Sequence, residues 1–455
     1  MDPLTLDPVQ ILTVVAVLAI AAVLLWEYPI QITLVAVVIA IALDLLLGVY
    51  GIGLAINLYA DDVACLVLLS AGACVALRTT RFSRGRCWPV FTLFALVLIN
   101  LARGASEFGL KSAGNGSRSL TYLIVPSVAV ILLRPALRVS AQHLALWLAG
   151  LGCALTIVAG CRWAGTLPIP EQVLDDFGSR AVVRVLPAEY GHLIGQALLA
   201  IVALQLIRGV RWWKVGIAGM LATITLALQH RSVWAATVVG LMWLAAGSFR
   251  SSQKRWFQLV GTICIGLTVA VLALSTTGGI DRVELLVRTN LNETQQQDST
   301  WSWRVGGFTE AMDRLFSSDT SEIVFGPPSG RDLGSDASSM ASVYIHSRYV
   351  ETLAHYGVLG GLLLLIWLVA VARKVGAGWV RARSWESRPT TVETTFLQAL
   401  LLSQLTYFVA YSGGLIQGGV IGLIWLAATA DTERVHESVL NAAAARRHPY
   451  LIAQS

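Results

Sequence analysis

The sequence predicts an all-α polytopic membrane protein of about 12–13 transmembrane helices, with one long outer segment that contains short helices. Three observations predict it. Hydrophobic residues make up 56% of the 455 and charged residues only 13%, about half the charge of an ordinary soluble domain. Apolar runs approaching the ~20 residues of a bilayer span recur along most of the chain. Basic residues gather in alternate short loops, as they do in the cytoplasmic loops of membrane proteins.

Taken in order, spans are expected at 10–26, 30–48, 62–77, 89–103, 119–133, 142–160, 189–207, 212–228, 232–248, 257–275, 357–372, 396–411 and 414–430. Residues 50–60 are expected to form a short extra or half-inserted helix. The loops holding Arg78, Arg81, Arg84 and Arg86, then Arg134 and Arg138, then Arg208, Arg211 and Lys214, then Arg250, Lys254 and Arg255, then 373–388, fall on the cytoplasmic side. Thirteen spans put the N-terminus outside and the tail with Arg446 and Arg447 inside. The start MDPLTLDPVQ has no Lys or Arg, so the first span is expected to be retained rather than cleaved as a leader. The organisation is then ten spans with short loops in 1–275, a long periplasmic segment in 276–356, the last spans in 357–430 and a cytoplasmic tail in 431–455. The outer side also receives 104–118, 161–188 and a tight turn at 229–231.

Charge and cysteine narrow the function classes. Of 33 basic residues, 29 are Arg and only Lys111, Lys214, Lys254 and Lys374 are Lys. Arg suits planar, two-pronged contact with phosphate or carboxylate, although GC-rich coding gives the same bias. The pI near 9.1 reflects basic inner loops, and no compact basic domain exists to hold a nucleic acid. Cys65, Cys74, Cys153 and Cys264 lie inside apolar runs, with Cys87 and Cys161 at run ends, so neither a disulfide framework nor a zinc site is indicated.

The outer segment carries its own pattern. Ser299 and Thr300 are N-cap candidates for an amphipathic helix over 301–316. Arg304, Phe308, Ala311 and Leu315 share one face of it, while Glu310, Asp313 and Arg314 lie elsewhere. An arginine on that apolar face needs an anionic partner. After a turn with Gly326, Pro327, Pro328 and Gly330, a second helix is expected to begin near Ser342, turning His346, Val350, Leu353 and Gly357 inward.

Three segments thus bring basic residues to the outer face: Gln229-His230-Arg231-Ser232-Val233-Trp234, Trp301-Ser302-Trp303-Arg304, and His346-Ser347-Arg348-Tyr349 continuing through Leu353 to Gly357 and Gly360. Their order and spacing resemble the superfamily of O-antigen ligases and O-antigen polymerases, bacterial envelope glycosyltransferases of the GT-C type. The resemblance covers about 190–375; the first 190 residues share only hydropathy. It implies an inner-membrane enzyme whose site faces the periplasm, where a glycan passes from undecaprenyl diphosphate to an acceptor sugar hydroxyl. The implied partners are that lipid-linked glycan, an acceptor glycan or glycolipid, membrane lipids and other polysaccharide-assembly proteins. No cofactor or metal is implied.

The chemistry fits the residues. Departure of the carrier leaves growing negative charge on phosphate oxygens, which an electrophile must meet. Arg231 and Arg304 carry that role by resemblance, with Arg184, Arg180 and Arg348 as further diphosphate contacts. His346 is the expected base, with Glu351 as the fallback, and the product is inverted. His230 and His355 read as structural. Blander readings stand beside these: Arg231 as a snorkelling helix-end residue, Arg304 as an interfacial anchor, His346 as a packing residue. Two rival functions remain open, a flippase or transporter for the same glycolipids and a polyprenyl-phosphate sugar transferase using Asp61 and Asp62, whose simpler role is helix capping.

Overall fold

The structure, a computed structural model, describes residues 23–24, 26–47, 51–53, 57–79, 87–169, 184–251, 253–276, 300–331, 347–384 and 388–430. The first expected span, 10–26, lies outside these but for its last turn. Apart from one short two-stranded ladder, the regular elements described are helices: α1 Pro29–Leu47, α2 Ala60–Arg78, α3 Trp88–Phe108, α4 Leu110–Leu132, α5 Ala141–Trp163, α6 Ala188–Arg208, α7 Trp212–Ala227, α8 Arg231–Ser251, α9 Gln253–Thr276, α10 Thr300–Phe316, α11 Thr320–Phe325, α12 Arg348–Ser384, α13 Arg388–Ala410 and α14 Leu415–Ala430. Among the described residues, α2, α3, α5, α6 and the 348–376 part of α12 are long and apolar enough to cross a bilayer, and α7 and α14 are shorter apolar helices. This is an all-α polytopic membrane protein.

Helix α6 is the centre. Its apolar window is 94% buried, against 33–44% in the other four long apolar helices, and α5, α7, α8 and α13 pack around it. A helix apolar on every side belongs in such a position. Small residues let the neighbours close in: a Cβ on Gly152 would meet Ala197 Cβ at 2.2 Å, and one on Gly247 would meet Thr395 at 2.3 Å. Leu66, Ile157, Met242 and Leu365 project outward and exposed, as lipid-facing side chains do.

The described members of the basic loops gather at one end of the bundle, where Arg208 donates to Gln142 Oε1 at 3.0 Å and Arg134 stands over the Trp425 ring. Arg78 lies 3.7 Å from Glu27 and over the Trp26 ring, which joins the start of α1 to the end of α2 there. The opposite end differs from expectation in two places. Among the described residues of the expected 50–60 helix, β1 Gly51–Gly53 and β2 Asn57–Tyr59 pair antiparallel instead, with Ile52 opposite Leu58, and Ala60 already begins α2. The ladder meets backbone groups that a loop beside lipid could not leave unpaired. Residues 104–118 are no loop either. Helices α3 and α4 continue through them and meet at Gly109, whose φ of 82° makes the joint.

Candidate functional site

The described part of the long segment between α9 and α12 is anchored in the bundle by its Gly/Pro turn. Residues Gly326 to Ser329 are buried between α3, α4 and α12. Asn100 Nδ2 donates to Phe325 O at 2.7 Å, Arg103 to Gly326 O at 3.0 Å and Ser112 Oγ to Gly330 O at 2.9 Å. The Ser329 amide donates to Asn100 O at 3.1 Å. Pro327 and Pro328 bring no N–H groups into this buried place. Two glycines make the approach possible: a Cβ on Gly104 would fall 1.8 Å from Ser329 O, and Gly326, at φ 80°, would clash with His355 O at 2.2 Å.

Upstream of the anchor, α10 spans 300–316 and packs against α12. Leu315 is buried, Phe308 and Ala311 are half-buried, and Glu310, Asp313 and Arg314 are exposed, which is the amphipathic face expected. Arg304 lies on this helix, but its side chain is outside the described residues, as are His346 and Arg180. An open groove on α10 lined by Gly306, Thr309, Glu310 and Asp313 sits on its polar edge.

Arg184 reaches the turn that leads to Arg231. Gln229 takes the left-handed conformation, φ 57°, and its carbonyl accepts from Arg184 Nη2 at 3.3 Å. Arg231 follows two residues later as the first residue of α8, half-buried and engaged. Between them His230 is buried, and its Nε2 lies 2.9 Å from Leu186 O. A carbonyl only accepts, so Nε2 carries the proton. Burial lowers this imidazole from 6.5 to about 4; the Leu186 hydrogen bond opposes the shift and the Arg184 charge adds to it. His230 is therefore a neutral structural prop at neutral pH. Trp234 Nε1 donates to Thr225 O at 2.8 Å and closes the turn.

Arg348 is fully buried, and its guanidinium is spent inside the protein. Nε donates to Ser412 O, Nη1 to Ser119 Oγ at 2.9 Å and Nη2 to Gly413 O at 2.6 Å. Glu351, the fallback base, lies 3.2 Å from Nη1 as its counter-ion. The expected diphosphate contact would require all of these to open. The inward face of α12 is accordingly set by Arg348, Glu351, Thr352 and Tyr356, while Val350 and Leu353 are only half-buried. The helix starts at Arg348 among the described residues and breaks at Gly357, φ 64°, where a Cβ would stand 2.5 Å from Val324 O.

The Asp61–Asp62 pair divides. Asp62 accepts from the Tyr59 amide at 2.9 Å, Tyr122 OH at 2.8 Å and Arg118 Nη2 at 3.0 Å, and Arg118 also lies 4.2 Å from the Tyr59 ring centroid. Asp62 thus starts α2 and ties it to α4. Nearby, Tyr190 donates to Asp44, and buried Arg162 donates to Val185 O at 2.6 Å and to Leu45 O.

No family model and no curated protein matches the chain. Its reading rests on its own residues. Among the described residues no three His, Cys, Asp or Glu side chains group so as to hold a metal ion. Asn100, Arg103, Ser119 and Gln417 were not singled out from sequence. Asn100 interrupts an apolar run, and Arg103 and Gln417 each stand beside a glycine in or at the end of one, and that is the signal that could have found them.

Proposed function

We propose that the protein transfers a glycan from undecaprenyl diphosphate to an acceptor sugar hydroxyl at the membrane face opposite its basic loops, as the O-antigen ligase and polymerase group does. The observation that carries this reading is the bond from Arg184 to Gln229 O in the 229–231 turn that also carries Arg231, on the same end of the bundle as the anchored segment that bears α10 and leads to α12. Two forked cations at a rim can take up the charge that develops on a departing diphosphate. Arg304 on α10 supplies the electrophile from the long segment, and His346, two residues before the pinned start of α12, takes the acceptor proton.

The saturated shell around Asp62 favours this reading over a transferase that uses Asp62 as its acid. The test is incubation of the purified protein with an undecaprenyl-diphosphate oligosaccharide and an acceptor glycan or lipid A core, in EDTA. Arg231→Ala and Arg304→Ala should each cut turnover by roughly a hundredfold or more while the protein stays folded. Arg231→Lys should remain poor, because one ammonium cannot copy a fork. Wild-type turnover in both alanine variants would refute the assignment. Movement of the intact glycolipid across a vesicle membrane without bond cleavage would favour a flippase instead.

A further inference from the structure

Two places in the proposed site, the start of α12 and the 229–231 turn, are joined by a path of buried and part-buried polar contacts. Arg348 grips Ser412 O and Gly413 O in the non-helical break between α13 and α14. Gly413, at φ 68°, shapes that break. On the far side of the break stands Gln417, which is 0% exposed. Its Oε1 accepts from the Gly414 amide at 2.9 Å, and its Nε2 donates to Glu189 O at 3.3 Å. Glu189 is the second residue of α6, which begins directly after the non-helical residues 184–187. Those residues hold the turn: Leu186 O faces His230, and Arg184 donates to Gln229 O.

A carboxamide offers one acceptor and one donor in a single rigid plane. No aliphatic side chain of similar size can bind the break and the α6 start together. A hydroxyl with both capacities is too short to reach from one to the other. We propose that Gln417 is a positioning residue that keeps the α12 start, through Arg348 and the 411–414 break, in register with the turn carrying Arg184 and Arg231. It touches no substrate and acts by holding the two halves of the site at a fixed separation. The inference rests on the transfer reading above, and a misplacement of about 1 Å is enough to cost up to a hundredfold in rate.

The experiment uses the full-length protein in detergent or nanodiscs, with Gln417→Leu and Gln417→Glu. Leucine fills the volume and removes both contacts; glutamate keeps the acceptor and removes the donor to Glu189 O. Both variants should lower kcat roughly ten- to hundredfold while KM for the lipid-linked donor stays within about twofold of wild type. Amide hydrogen exchange should rise in peptides covering 184–192 and 228–235 in both variants, and in 411–417 chiefly in the leucine variant. A role confined to packing of α14 would loosen 411–417 alone. Unchanged kcat, or equal loss of protection throughout the bundle in both variants, would overturn the proposal. Absence of turnover in the wild type would remove the transfer reading, and the exchange pattern would still decide whether Gln417 straps the two halves together.

Discussion

A methyl group at residue 104 should eject the anchored turn. In Gly104→Ala the new Cβ would fall 1.8 Å from Ser329 O, 2.7 Å from Ser329 C and 2.8 Å from Ser329 N. All three are backbone atoms, so no side-chain rotation relieves the clash. A carbon–oxygen contact needs about 3.2 Å, a little inside the carbon–carbon optimum, and the turn must therefore retreat by more than 1 Å. That retreat breaks or stretches the Ser329 amide bond to Asn100 O and the side-chain bonds from Asn100, Arg103 and Ser112. Neutral bonds contribute about 1 kcal/mol each and the charged one about 2 kcal/mol, so the anchor should lose on the order of 3–5 kcal/mol. Alanine is otherwise the better helix former by about 1 kcal/mol. Gly150→Ala and Gly160→Ala, whose Cβ positions meet nothing within 4 Å, should therefore be neutral or stabilising. The assays are thermal unfolding in detergent and hydrogen exchange of a peptide covering 325–331. A Gly104→Ala protein with wild-type melting and wild-type exchange in that peptide would refute the docking.

Two other perturbations separate structural from chemical roles. Asp62→Ala should destabilise by about 2–4 kcal/mol, because it strands Arg118 and Tyr122 in a partly buried place. Asp61→Ala should be neutral or slightly stabilising, since Asp61 lies beside the like charges of Asp62 and Asp44; chemical denaturation of both variants checks the contrast. His230 makes stability fall in acid. Its folded value, about 4, lies below the unfolded 6.5, so between those values the unfolded chain binds more protons. The contribution is complete above about pH 6.5 and is lost toward pH 4, reaching about 3 kcal/mol. His230→Gln keeps a donor for Leu186 O and should flatten that slope between pH 7 and 4.5; an identical slope would show that another group titrates.

Hydropathy located the inner helices closely because lipid and the buried core both demand apolar residues. The expected 189–207, 212–228 and 232–248 became Ala188–Arg208, Trp212–Ala227 and Arg231–Ser251. The face of α10 was readable for the same reason. Where hydropathy ends, however, helices need not. It fades at Arg103 and resumes at Ser119, yet α3 and α4 run on as helix, because their polar outer turns find partners in the docked Phe325–Gly330. Those partners are more than 200 residues away in sequence, and nothing local announces them. The inward face of α12 differs from expectation in part: Gly357 is buried as expected, but Val350 and Leu353 are only half-buried and Arg348 is buried in their place. An arginine counts as costly in an apolar interior until its acceptors are known, and the acceptors of Arg348 are carbonyls that only a break in the α13–α14 path sets free.

The arginine bias therefore has two sources. Each free carbonyl at a helix end is a buried acceptor that must be met, and a guanidinium can meet two at once in a fixed geometry. Arg162 does so with Val185 and Leu45, and Arg348 with Ser412 and Gly413. These two are buried and take no part in contact with a ligand as they stand. Arg184 and Arg231 differ in being half-buried. A composition rich in arginine does not by itself point to phosphate in this protein, because Arg162 and Arg348 are spent on the protein's own carbonyls. The argument for a diphosphate narrows instead to the two rim arginines and to Arg304 on α10, and those are the positions where alanine should remove transfer without unfolding the bundle.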